Sequence, residues 1–182
     1  MGLFKFQNYS AIKNAQDNPR VIAAVETVNG NVFGIVDTAN AANTATTEVQ
    51  TPFANAAAAQ GDVWVMMNIV DKPEIRNYAD YSVLAGEYIR AFKLNSVIGE
   101  KVELSGDLVI DGATGLPPVA PLVVGTALVP TVAADAPNLM IWKTIAAPAG
   151  YSCYLEVTGV TTFGLFTIDN AGVGYEAKIK TA

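Results

Sequence analysis

The stretch Val21-Ile22-Ala23-Ala24-Val25-Glu26-Thr27-Val28, Asn29-Gly30, Asn31-Val32-Phe33-Gly34-Ile35-Val36 places two runs rich in β-branched residues on either side of an Asn-Gly pair. Both central positions of a type I′ turn need positive φ, which Gly and Asn tolerate best, so this spacing predicts a two-residue β-hairpin. The pattern continues downstream. Val63 to Val70 reads as a strand, Pro73 interrupts the chain, and Tyr78 to Ser82 leads into a second apolar run from Val83 to Leu94. Lys101 to Ser105 alternates polar with apolar, and Asp107 to Gly112 supplies another short strand. Near the C-terminus, Leu139 to Ile145, Tyr151 to Thr158, Thr162 to Asp169 and Tyr175 to Lys180 repeat the motif, with Asp169-Asn170-Ala171-Gly172 as the last turn. Short strands separated by turn residues at this spacing predict a mainly β protein, an antiparallel β-sandwich or partly open barrel with an N-terminal arm and long extended loops.

Three segments break the strand pattern. Residues 1–20 mix a short apolar start with Asn8, Asn14, Gln16, Asn18 and Pro19, which suggests an N-terminal arm or edge element carrying a short helix over Tyr9 to Asp17. The 21–182 remainder reads as the β-rich domain. Thr38 to Gln60 is dominated by Ala, Asn and Thr, too few large side chains to offset the entropy of ordering. The readings are an extended arm lying along a neighbouring molecule, or else a plain surface loop or a short helix at Phe53 to Gln60. Gly112 to Asn138 holds Pro117, Pro118, Pro121, Pro130 and Pro137, a density that disfavours helix and central-strand pairing, so 112–138 is a possible internal boundary.

Composition narrows the function classes. The chain has 182 residues, 51% of them hydrophobic, which is ample for a core. Only 15% are charged, against roughly 25% in an ordinary domain, as expected for a surface that something covers or for one rich in small residues. The net charge of −6, with scattered Lys and Arg, argues against nucleic acid and against an anionic membrane surface. The longest apolar stretches, Val119 to Val129 among them, fall short of the roughly 20 residues that span a bilayer as a helix.

The chain contains no histidine, which removes Ser-His-Asp catalysis and the usual zinc sites. Cys153, the one thiol, reads as a half-buried strand position. Glu87, Glu100, Glu103 and Asp107 are the carboxylates available for acid and base work, and their scatter among strand and turn signals reads more simply as solvated positions. The expectation is a protein that is not an enzyme, with no catalytic, cofactor-binding or metal-binding residue and no cofactor.

The stretch Ala85-Gly86-Glu87-Tyr88-Ile89-Arg90-Ala91-Phe92, followed by Ile98-Gly99-Glu100-Lys101-Val102-Glu103-Leu104-Ser105, resembles small structural proteins encoded beside the major capsid protein in tailed phages. The resemblance touches about a quarter of the chain. It implies a virion role, capsid decoration or head-fibre attachment, in a homo-oligomer whose partner is the major capsid protein or another virion subunit. The alternative is a carbohydrate- or small-ligand-binding β module, with Trp64, Trp142, Tyr78, Tyr81 and Tyr88 as stacking candidates. On the assembly reading, 1–20 and 38–60 are the expected contact surface.

Overall fold

The computed structural model describes residues 4–7, 20–39, 46–68, 81–135, 140–161 and 173–182. In chain order the strands are β1 (Phe4–Phe6), β2 (Arg20–Ile22), β3 (Thr27–Val28), β4 (Val32–Ala39), β5 (Thr46–Thr51), β6 (Trp64–Met66), β7 (Ser82–Val83), β8 (Tyr88–Lys93), β9 (Lys101–Ser105), β10 (Val109–Ile110), β11 (Ala127–Pro130), β12 (Trp142–Ile145), β13 (Tyr154–Thr161) and β14 (Gly174–Lys180). Among the described residues one short α-helix, α1 (Ala56–Ala59), and two single-turn 3-10 helices, Leu94–Val97 and Gly106–Leu108, interrupt them; the first turn of α1 is capped by the Asn55 side chain accepting from Ala58 N–H at 2.9 Å. The protein is therefore mainly β, as expected. Among the described residues no helix is long and apolar enough to cross a membrane.

Two larger assemblies and one two-stranded ladder, β3-β7, share the strands. β2-β5-β4-β6-β8 close into a barrel, while β1-β9-β14-β13-β11-β12-β10 form a seven-stranded sheet curled into a half-barrel. Pairing is antiparallel except at β2–β5 and β10–β12. The larger core joins both: Phe4, Phe6, Val102, Leu104, Leu128, Trp142, Leu155 and Ile179 come from the sheet, and Val32, Val65 and Phe92 from the barrel. A smaller core of Val21, Phe33, Met66, Ile89 and Ala91 fills the barrel interior. Alternation along each strand explains the division: Val65 and Phe92 are register partners facing the sheet, and their neighbours Met66 and Ala91 are partners facing inward.

The predicted hairpin does not form. The Asn29-Gly30 turn is present, with Asn31 N–H donating to Val28 carbonyl at 3.1 Å and Gly30 at φ 96°. Its two arms separate, however: β3 pairs with β7, and β4 pairs with β5 and β6. The turn is buried, and its polar groups bond to other strands. Gly30 N–H donates to Met66 carbonyl at 2.8 Å, and a Cβ at Gly30 would stand 2.4 Å from Leu108 and 2.6 Å from Phe4.

The arm reading of 38–60 is likewise overturned. Thr46–Thr51 is a barrel strand paired to both β4 and β2, and Phe53 and Ala59 are buried. Thr is a good strand residue, so the run Thr46-Thr47-Glu48-Val49-Gln50-Thr51 needed only neighbours to order it. The short helix expected within Phe53 to Gln60 is α1; residues 40–45 lie outside the described residues. Of the N-terminal segment, Phe4–Phe6 is an edge strand against β9, with the Phe6 ring tilted against that of Phe92 at 6.0 Å between centroids. The helix expected over Tyr9 to Asp17, the strand over Thr162 to Asp169 and the Asp169–Gly172 turn all lie outside the described residues.

The proline-rich segment also behaves differently from expectation. β11, inside it, is an interior strand between β13 and β12 with all four residues buried. Pro130 is tolerated because it ends the strand, and the next N–H, from Thr131, continues the ladder to Ile141 carbonyl at 2.9 Å.

Candidate interaction surface

The exposed part of that segment, 112–126, is Gly-Ala-Thr-Gly-Leu-Pro-Pro-Val-Ala-Pro-Leu-Val-Val-Gly-Thr, without a single charge. It is tied down at both ends. At its start the Asp111 carboxylate accepts from Ala113 N–H and Thr114 N–H, each at 2.9 Å, and the Asp111 carbonyl accepts from Gly115 N–H at 2.8 Å. These bonds, Thr114 first and Ala113 next, hold the Asp111 carboxyl below the usual aspartate range. Gly112 N–H donates to Thr144 Oγ1 at 2.9 Å. At its end Gly125 N–H donates to Val157 carbonyl at 2.8 Å, and the Thr126 hydroxyl donates to Val123 carbonyl at 2.8 Å.

Between these anchors the backbone is stiff for covalent reasons. Pro117, Pro118 and Pro121 have fixed φ, and Leu116, Pro117 and Ala120 each precede a proline, which excludes the helical region. Leu122 is the midpoint anchor, packed on the large core with its N–H 3.4 Å from the Tyr175 hydroxyl. The remaining large side chains face outward: Leu116 is 65% exposed, Val119 106%, Val123 73% and Val124 66%. Four aliphatic side chains this bare, within nine residues of restrained and uncharged backbone, form the composition of an interface core. The three prolines lack N–H donors, so the loop is poorly suited to pair as an added strand.

The residues singled out from sequence do not converge. Trp142 and Tyr81 are buried, the latter with its hydroxyl accepting from Asn68 Nδ2 at 3.1 Å. Trp64 is half-buried on the barrel core, with Lys93 Nζ 5.9 Å from its ring centroid and Lys93 paired to Asp62 at 2.7 Å. Tyr88 is 56% exposed on the barrel wall, and Tyr78 lies outside the described residues. Glu87 caps the turn before β8, accepting from Leu84 N–H at 3.1 Å, and Glu103 accepts from Gln7 Nε2 at 3.2 Å on the other sheet. Glu100 stands at the start of β9 and Asp107 in the single turn that follows it. Among the described residues no three His, Cys, Asp or Glu side chains group as a metal site.

Cys153 is buried, its thiol 3.4 Å from Asn95 Oδ1, and burial pushes its pKa up to about 11. That environment protects the thiol and disfavours a nucleophile. Sequence reading passed over 112–126 as a boundary. The usable signal was there: Leu and Val between closely spaced prolines, with no charge to solvate them. Comparison with protein-family models, with curated proteins and with solved structures finds no match to this chain.

Proposed function

We propose that this chain is a virion structural protein, a decoration or auxiliary head subunit that docks on the surface of a phage capsid and stabilises it or displays a further subunit. The carrying observation is the 112–126 loop, which presents Leu116, Val119, Val123 and Val124 on a restrained backbone. Pre-ordering lowers the entropy lost on docking, so a small apolar contact repeated over many lattice positions holds firmly. The resemblance of 85–105 to proteins encoded beside capsid genes supports the same reading. The curled seven-stranded sheet carries the loop between β10 and β11.

Co-sedimentation tests it. The chain is mixed with assembled lattices of the capsid protein encoded beside it and spun through a density gradient. The wild-type chain is expected to travel with the lattice, and a Val119→Asp, Val123→Asp double variant to remain near the top while keeping its circular dichroism spectrum. A wild-type chain that stays at the top with lattice in excess overturns the proposal.

A further inference from the structure

Asn29-Gly30 is the single Asn-Gly pair in the chain. That dipeptide has a covalent chemistry of its own. The Gly main-chain nitrogen, once deprotonated, attacks the side-chain carbonyl carbon of Asn, ammonia leaves, and a five-membered succinimide closes. Water then opens the ring at one of its two carbonyls to give aspartate or isoaspartate, so the net change is asparagine plus water to acid plus ammonia. Gly favours the reaction because it has no Cβ to crowd the attacking nitrogen or restrict its approach. Three things are needed: base must reach the Gly N–H, the carboxamide must turn toward the nitrogen, and water must reach the ring.

The fold opposes all three. Gly30 is buried and its N–H donates to Met66 carbonyl at 2.8 Å, so the nucleophile is engaged and shielded from base. Asn29 is 3% exposed, and the main chain of Asn68 holds its carboxamide at both ends, 3.0 Å from Nδ2 and 2.7 Å from Oδ1. Swinging the carboxamide toward the Gly30 nitrogen breaks both bonds and leaves two main-chain groups of Asn68 without those partners. Leu108 and Phe4 close over Gly30, 2.4 Å and 2.6 Å from where a Cβ would stand, which keeps water off the peptide. None of these contacts survives in an unfolded chain, where the pair reacts as it does in a short peptide.

We propose that Asn29 is a deamidation site gated by folding: sealed in the native chain, open in the unfolded one, and modified in a way that prevents the native contacts from re-forming. Either product loses the Nδ2 donor. Aspartate sets a charged oxygen where the amide faced the Asn68 carbonyl, in a buried place. Isoaspartate routes the main chain through the former side-chain carbons, which adds a methylene between Val28 and Gly30 in a turn where Leu108 and Phe4 leave Gly30 no room to shift. An interval spent unfolded is thereby made irreversible at one residue. The proposal is independent of lattice docking.

Peptide mapping by mass spectrometry tests it, on the full chain held in mildly alkaline buffer with increasing urea. Conversion at Asn29 is expected to rise with the unfolded fraction. Without urea it should be at least about a hundredfold slower than in full denaturant, because a domain of ordinary stability is open less than about one part in a thousand of the time. Asn29→Asp, which places one product at this position alone, should refold with a lower urea midpoint than the wild type at neutral pH. A native chain converted at Asn29 with less than about a hundredfold protection overturns the seal. An Asn29→Asp chain with the wild-type midpoint overturns the irreversible step.

Discussion

The side chain of Asn29 pairs with the main chain of Asn68 as a strand residue would: Nδ2 donates to Asn68 carbonyl at 3.0 Å, and Oδ1 accepts from Asn68 N–H at 2.7 Å. The Asn68 side chain carries the network on, accepting from Arg90 N–H at 2.7 Å and donating to the Tyr81 hydroxyl. Two residues along the turn, Asn31 accepts from the Thr27 hydroxyl at 2.6 Å and donates to Met140 carbonyl at 3.0 Å. Thr27 in turn accepts from Gln50 Nε2 at 3.2 Å. The predicted hairpin turn is thus a buried polar joint between the barrel and the large sheet.

Asn29→Ala should leave both main-chain groups of Asn68 without that partner in a part-buried place, at a cost of about 1–3 kcal/mol. Urea unfolding followed by Trp fluorescence measures it. A change within about 0.5 kcal/mol would show that water replaces the carboxamide at no cost.

Gly30→Ala carries two penalties, a backbone at φ 96° and a Cβ against Leu108 and Phe4, and should cost about 3 kcal/mol or more. Gly86, at φ 88° with nothing within 4 Å, is the internal control. Gly86→Ala should cost only the backbone part, about 1 kcal/mol. Equal losses at the two sites would refute the packing contribution at Gly30.

Cys153 should resist alkylation. A thiol held at about 11, against 9.0 for the free group, has about a hundredfold less thiolate near pH 8, so iodoacetamide should react at least that much more slowly with native than with unfolded protein. The raised value also sets a sign: the stability linked to this group is complete below about pH 9 and is lost as pH climbs through about 11. Rapid native alkylation, read by mass spectrometry, would contradict the buried position.

Asp111 gives the opposite sign. Its carboxyl is depressed by the Thr114 and Ala113 amides, so the anchor it provides is present above the ordinary aspartate value and is lost as pH falls through the folded one. The Ala113 and Thr114 amide resonances should hold steady at neutral pH and move only below about pH 3.8. Asp111→Asn should keep the loop anchored, and Asp111→Ala should release it. Amide shifts that moved near pH 5 would rule out the hydrogen-bonded carboxylate.

The sequence by itself determined the β class, most strand positions and the turn at Asn29-Gly30, because alternation and turn chemistry are local properties of the chain. Lys101–Ser105 and Gly174–Lys180 are legible in this way: their buried and open positions alternate nearly as the residues do. Tertiary structure decided the pairing. Local spacing favours the nearest partner, yet the arms of the Asn-Gly turn gain more by joining different sheets, where Thr27, Asn31 and Gln50 satisfy one another and Gly30 lets Leu108 and Phe4 close in. It decided equally that Thr46–Thr51 is a barrel strand, since six small and polar residues order only when β2 and β4 flank them. The exposed 112–126 loop is written in its prolines and aliphatics, but its bareness follows from where Asp111, Leu122 and Gly125 fasten it. An apolar row on the barrel wall, Val36–Val49–Ile22–Tyr88, exists only once the barrel has closed, because four strands scattered between residues 20 and 93 share a face through register alone.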